Sequence, residues 1–221
     1  MLTFNIAPGS ETADFVFPED IEAREWVGYH GTSSAYSVRI ERDGFVRAKP
    51  LATNDIQLVA DLAKRQGLAN ADAVAGFLAL GSISFADQSA LALAFSDPRT
   101  LGGQGVGFMS NAARELLSGH ASAISADEIA ELTRIVSWVD DVRSKPAVIY
   151  AVDLKDLRLA RFNNLTAAIH VFEGIPPSRI LARGIVPAAV NHSAIDAQAL
   201  RDKARATYRS RGSHWLCELE Q

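Results

Sequence analysis

The sequence predicts an α+β fold with a mostly antiparallel sheet. Three observations carry that class. Helical periodicity dominates the first two-thirds of the chain. β-rich runs return in the last third, at "AVIYAVDL" (Ala147 to Leu154) and "AAIHVFEGIPPSRILARGIV" (Ala167 to Val186). With 221 residues and 48% hydrophobic content, the chain suits one compact domain, or one domain with decorations, rather than disorder.

Taken in order, residues 1–24 are broken by Pro8, Gly9 and Pro18 and read as an N-terminal arm with one short strand or turn. Glu25 to Tyr29 reads as a strand. Ser34 to Arg42 reads as a helix with Ala35, Val38 and Ile40 inward, stopped by Gly44. Residues 54–80 carry Ile56, Val59, Leu62 and Ala63 at helical spacing, with a break near Gly67. Ser82 to Ala86 leans to β, and Gln88 to Ser96 leans to helix. Thr100 to Gly107 ("TLGGQGVG") holds four glycines and reads as a loop. Ser125 to Val142 is the clearest helix, opened by a Ser125/Glu128 capping box and striped by Ile129, Leu132, Val136 and Val139. Two strands around Pro176-Pro177 and a helix from Asp196 to Tyr208 complete the chain.

Composition narrows the function classes. A net charge of −4 and a pI near 5.7 speak against a general nucleic-acid binder. Cys217 is the sole cysteine, which excludes an intramolecular disulfide and a thiolate-rich metal site. No apolar run approaches the roughly 20 residues of a membrane span. The first residues lack a basic region followed by an apolar core, so the expectation is a cytoplasmic protein, or an effector exported without a recognisable leader. Asp140 and Asp141, with Glu128 and Glu131, read as a solvated helix face rather than a metal site. The basic stretch from Arg201 to Arg211 reads as a solvated face or a partner-binding one.

The stretch "YHGTS", Tyr29 to Ser33, ends an apolar run and opens a helix. Its plain reading is a strand-to-helix turn in which Thr32 or Ser33 caps the helix. Its sharper reading is a nucleotide pocket, because glycine allows close backbone approach and histidine and hydroxyls supply polar contacts. Three segments favour the second. "YHGTS…I…GF", "GSISFADQSALALAF" and a strand running into "IPPSRI" resemble, in order and spacing, motifs of the ADP-ribosyltransferases of the diphtheria-toxin and poly(ADP-ribose) polymerase type. The resemblance spans residues 26 to 186.

It implies a split antiparallel β-sandwich with covering helices. The implied domains are an arm at 1–24, a catalytic domain at 25–190 and a helical extension at 191–221. NAD is the implied consumed substrate, with nicotinamide released, no metal, and ADP-ribose passed to a macromolecular acceptor, a protein in preference to a nucleic acid. His30 takes the place of the family histidine on an adenosine ribose hydroxyl, and Gly31 that of the glycine that grips the nicotinamide carboxamide by its backbone. Thr32 and Ser33 fall where ribose hydroxyls or a helix cap are met. The stacking tyrosine is replaced by Ser84, while Phe95, eleven positions on, keeps the second aromatic; Tyr29 or Phe85 stand near the gap. Serine at position 84 also resembles the arginine-serine-glutamate branch. The glutamate that stabilises the developing cation is met by Glu173, with His170 as a minor candidate, although the family register falls on Ile169. An NAD glycohydrolase, an RNA 2′-phosphotransferase drawing on Arg39, Arg42 and Arg47, and a non-catalytic NAD- or ADP-ribose-binding module remain the alternatives.

Overall fold

The structure, a computed structural model, describes residues 1–10, 13, 15–46, 51–79, 81–97, 104–157, 160–163 and 167–211. Among these residues the chain is mixed α+β, with eight α-helices and two small sheets. In chain order the elements are β1 (Leu2–Asn5), α1 (Glu19–Glu22), β2 (Val27–Ser33), α2 (Ser37–Asp43), α3 (Thr53–Arg65), α4 (Ala71–Ala79), β3 (Ile83–Phe85), α5 (Ser89–Phe95), α6 (Gln104–Gly119), α7 (Ala126–Ser144), β4 (Ala147–Asp153), β5 (Ala160–Asn163), β6 (Ala168–Val171), β7 (Ile180–Val186) and α8 (Ala197–Arg211). They fall into two compact units. The first comprises Met1–Arg47, Ser82–Asp97 and Pro146–Gln221; the second comprises Ala48–Gly81 and Pro98–Lys145.

The first unit holds both sheets. One has the order β1-β7-β4-β2, with β1 parallel to β7 and the other pairs antiparallel. The other has the order β3-β6-β5 and is antiparallel throughout. β4 is central and buried along nearly its whole length, which suits its continuous run of Ala, Val, Ile and Tyr. β7 alternates buried and half-buried residues, as one covered face requires. Val148, Tyr150 and Val152 share a core with Phe85, Ile169, Val171 and Phe162. Fully burying a side chain such as Ile169 is worth about 1.5–3 kcal/mol.

The start of α2 departs from expectation. Ile40 is buried as read, but Val38 is 78% exposed and Ala35 also faces solvent. A 3₁₀ turn over Ser34–Tyr36 precedes the α-helix, and its tighter winding rotates the phase of the inward face. Gly44 ends α2 at φ +77°, and a Cβ there would lie 2.0 Å from the Ile175 carbonyl oxygen. Glycine thus serves both the turn and the close passage that lets Phe45 pair with Ile175.

The second unit packs α3, α4, α6 and α7 around its own core, including Ile56, Val59, Leu62, Met109, Leu116, Leu132 and Val139. α7 opens with the expected capping box between Ser125 and Glu128. Gly67, at φ +68°, stands just beyond α3 at the expected break. The "TLGGQGVG" loop is corrected in part. Its residues 100–103 lie outside those described, and 104–107 form the first turn of α6. Burial of Val106, Met109, Ala113 and Leu116 outweighs the low helix propensity of its glycines. The acidic residues of α7 meet bases on the surface: Asp140 meets Arg114, Asp141 meets Lys145 at 3.0 Å, and Glu131 meets Arg134 at 2.7 Å.

Candidate functional site

The site begins where β2 and β3 part. Among the described residues, Tyr29 and Ala86 form the single rung between them, exchanging hydrogen bonds of 2.7 and 2.8 Å. In a continued antiparallel ladder the next such rung would join Gly31 and Ser84. Instead the His30 ring takes the Ser84 carbonyl, with Nδ1 at 2.8 Å. Backbone groups two residues apart point to the same side of a strand. Gly31 therefore directs its N–H and C=O toward β3, as Tyr29 does, where no rung receives them.

His30 is half-buried and held on two sides. Phe45 meets its ring edge-on at 5.1 Å, and Phe85 lies tilted at 5.5 Å. A carbonyl can only accept, so Nδ1 must donate to Ser84. The neutral ring then carries its proton on Nδ1 and presents Nε2 as an acceptor. Burial lowers the pKa below its ordinary value of 6.5, and the Ser84 carbonyl opposes this less strongly.

Gly31 has a packing reason of its own. A Cβ would lie 2.3 Å from the Ala92 carbonyl oxygen and 3.1 Å from the Ser96 nitrogen, so α5 crosses directly behind it. Ser33 is fully buried, and its hydroxyl accepts from the Ala35 N–H at 3.2 Å, capping the 3₁₀ turn. Thr32 is 5% exposed and lies opposite Val148 on β4.

Ser84 stands in the exposed centre of β3, opposite His170 on β6. His170 Nδ1 lies 3.3 Å from the Ser84 hydroxyl and 2.9 Å from that of Ser82. The Nε2 of the same ring is buried without a hydrogen-bond partner, and burial lowers the pKa of His170.

The aromatic candidates go elsewhere. Phe85 is 1% exposed and belongs to the core, as strand alternation anticipates. Tyr29 is 2% exposed, stacks on Phe17 at 5.7 Å and donates to Glu22 at 2.7 Å. Burial and the nearby Glu22 carboxylate hold its hydroxyl protonated. Phe95 is partly exposed at the end of α5, with the Arg201 guanidinium of α8 5.7 Å above its ring. Ile169 is fully buried between Phe85 and Phe162, so an acid at that position would be a charge in the core. Glu173 lies past the end of β6, half-buried in the bend before Ile175. Arg42 is exposed and ion-paired with Asp43 at 2.7 Å; Arg47 lies outside the described residues.

Two carboxylates escaped sequence reasoning. Glu22 accepts from the backbone N–H groups of Val16 and Phe17, at 3.1 and 2.9 Å, and from the hydroxyls of Ser89 and Tyr29. Glu41 pairs with Arg183 and accepts from the Tyr150 hydroxyl at 3.1 Å. Burial pushes that phenol up to about 12. His30, Tyr150 and Arg183 form one row across β2, β4 and β7. Glu41 finds its partners 109 and 142 residues away, and Glu22 joins neighbours five to seven residues off to Ser89, 67 residues away, so neither forms a recognisable local motif. Comparison with protein-family models, curated proteins and solved structures finds no match for the chain.

Proposed function

We propose that the first unit binds NAD at the parting of β2 and β3, releases nicotinamide and passes ADP-ribose to a macromolecular acceptor, on a split β-sandwich. One observation carries this reading: Gly31 turns a donor and an acceptor toward a gap in the ladder, beside a histidine fixed in one tautomer. An N–H and a C=O on one residue match the two halves of a carboxamide. A neutral His30 Nε2 is an acceptor for a ribose hydroxyl. Backbone groups held by the surrounding strands orient a ligand without reorganising during the reaction.

A second reading, a non-catalytic NAD- or ADP-ribose-binding module, is favoured by Ile169, because the register position of the family glutamate lies in the core. Incubation with NAD labelled in both halves separates the two. Transfer predicts free nicotinamide and label on an acceptor, hydrolysis predicts free ADP-ribose, and a module binds without release. His30→Ala should lower NAD turnover at least about tenfold, the order of one lost ligand hydrogen bond. Glu173→Gln should abolish turnover if that carboxylate stabilises the cation. Full activity would remove Glu173 from the site and leave the NAD reading standing, whereas an active, folded His30→Ala would end it.

A further inference from the structure

Ser84 joins two histidines: its carbonyl receives His30 Nδ1, and its hydroxyl lies 3.3 Å from His170 Nδ1. Ser84 stands opposite His170 on β6, and on its other side it borders the gap into which Gly31 turns its backbone groups. We propose that Ser84 and His170 form the proton-accepting pair for the incoming nucleophile, with Ser84 touching the acceptor hydroxyl and His170 holding the proton behind it. The inference rests on the NAD reading above and assigns to that site a step that neither His30 nor Glu173 supplies.

The geometry favours this use over a plain surface hydrogen bond in three ways. Ser84 is exposed, so its oxygen is open to a ligand. Ser82 approaches the same Nδ1 at 2.9 Å and steadies the ring. When the Ser84 hydroxyl donates to Nδ1, with that of Ser82 turned to another acceptor, the neutral ring carries its proton on Nε2, which is buried without a hydrogen-bond partner among the described residues. An orphaned buried polar atom of this kind calls for an explanation, and a proton-holding role is one. Burial also keeps the resting ring neutral.

The step balances. Nicotinamide leaves C1′ of its ribose with the bonding pair and becomes neutral. The nucleophile oxygen, from an acceptor hydroxyl or from water, bonds to C1′. Its proton passes to Ser84 Oγ as the Ser84 proton passes to His170 Nδ1. The imidazolium then releases that proton to solvent.

The test uses the full chain and NAD labelled in nicotinamide. Ser84→Ala, an exposed substitution that spares the core, and His170→Ala should each slow release about a hundredfold with KM little changed. Added imidazole should restore His170→Ala by about tenfold or more and leave Ser84→Ala slow, a pattern that a merely structural role would not give. An active wild type with Ser84→Ala at full rate, or with His170→Ala slow and unrescued, overturns the pair while leaving the NAD reading intact. A wild-type chain that neither binds nor cleaves NAD overturns both.

Discussion

His30 and His170 are both held below their ordinary pKa by burial, and this has a consequence for stability. In the unfolded chain each titrates near 6.5; in the folded chain each titrates lower. As pH falls through that window the unfolded state takes up protons first, so stability drops. Above the unfolded value neither state is charged and the contribution is flat. The melting temperature should therefore be lower at pH 5.5 than at pH 7.5, and the drop should shrink in a His30→Gln/His170→Gln double variant. An unchanged drop in that variant would assign the acid sensitivity to other groups. Ser84 lies between these two rings and answers to both, by its carbonyl on one side and its hydroxyl on the other.

At the scale of elements, β2 and α5 are locked together at Gly31. Gly31→Ala would drive a methyl group into the Ala92 carbonyl, and backbone cannot swing aside as a side chain can. The expected cost is about 1–3 kcal/mol, read from the urea midpoint, with an unchanged denaturant slope if only packing is affected. An unaltered midpoint would mean that α5 shifts freely. The same elements mark what was legible in the sequence. The cap at Ser33, the capping box of α7 and the turning of Phe85 away from Ser84's side rest on local spacing, and the structure repeats them. The strand expected over Glu25 to Tyr29 instead runs from Val27 to Ser33, so "YHGTS" is strand and not a bend, because its residues pair with β4 as far as Ala147. β5 and most of α6 carry no such local signal, and the inward face of α2 lies off the phase its spacing predicts. Those depend on tertiary burial, or on a 3₁₀ turn that leaves no spacing signal. In the candidate site, His30 and Gly31 could be picked out from neighbours in the chain. The contact of Glu22 with Ser89 and that of Ser82 with His170 could not, since they join residues 67 and 88 positions apart.

For the whole molecule, two separate hydrophobic cores predict two separable responses to damage. Leu132→Ala strikes the helical unit and Ile169→Ala strikes the sheet unit, each at a fully buried position. Each should cost about 2–5 kcal/mol in its own unit. If the units unfold independently, calorimetry will show each substitution lowering a different transition; a single transition lowered by both would show that they unfold together. Sequence composition suggested one domain, because the helical unit has no contiguous stretch of its own to betray it. Its two pieces, Ala48–Gly81 and Pro98–Lys145, enclose Ser82–Asp97. The strand that carries Ser84 is therefore an enclave, reached from either direction only through the other unit's sequence. No single excision can remove the helical unit without taking β3 and α5 with it. Minimisation or recombination therefore has to treat both pieces as one graft while keeping β3 and α5 between them.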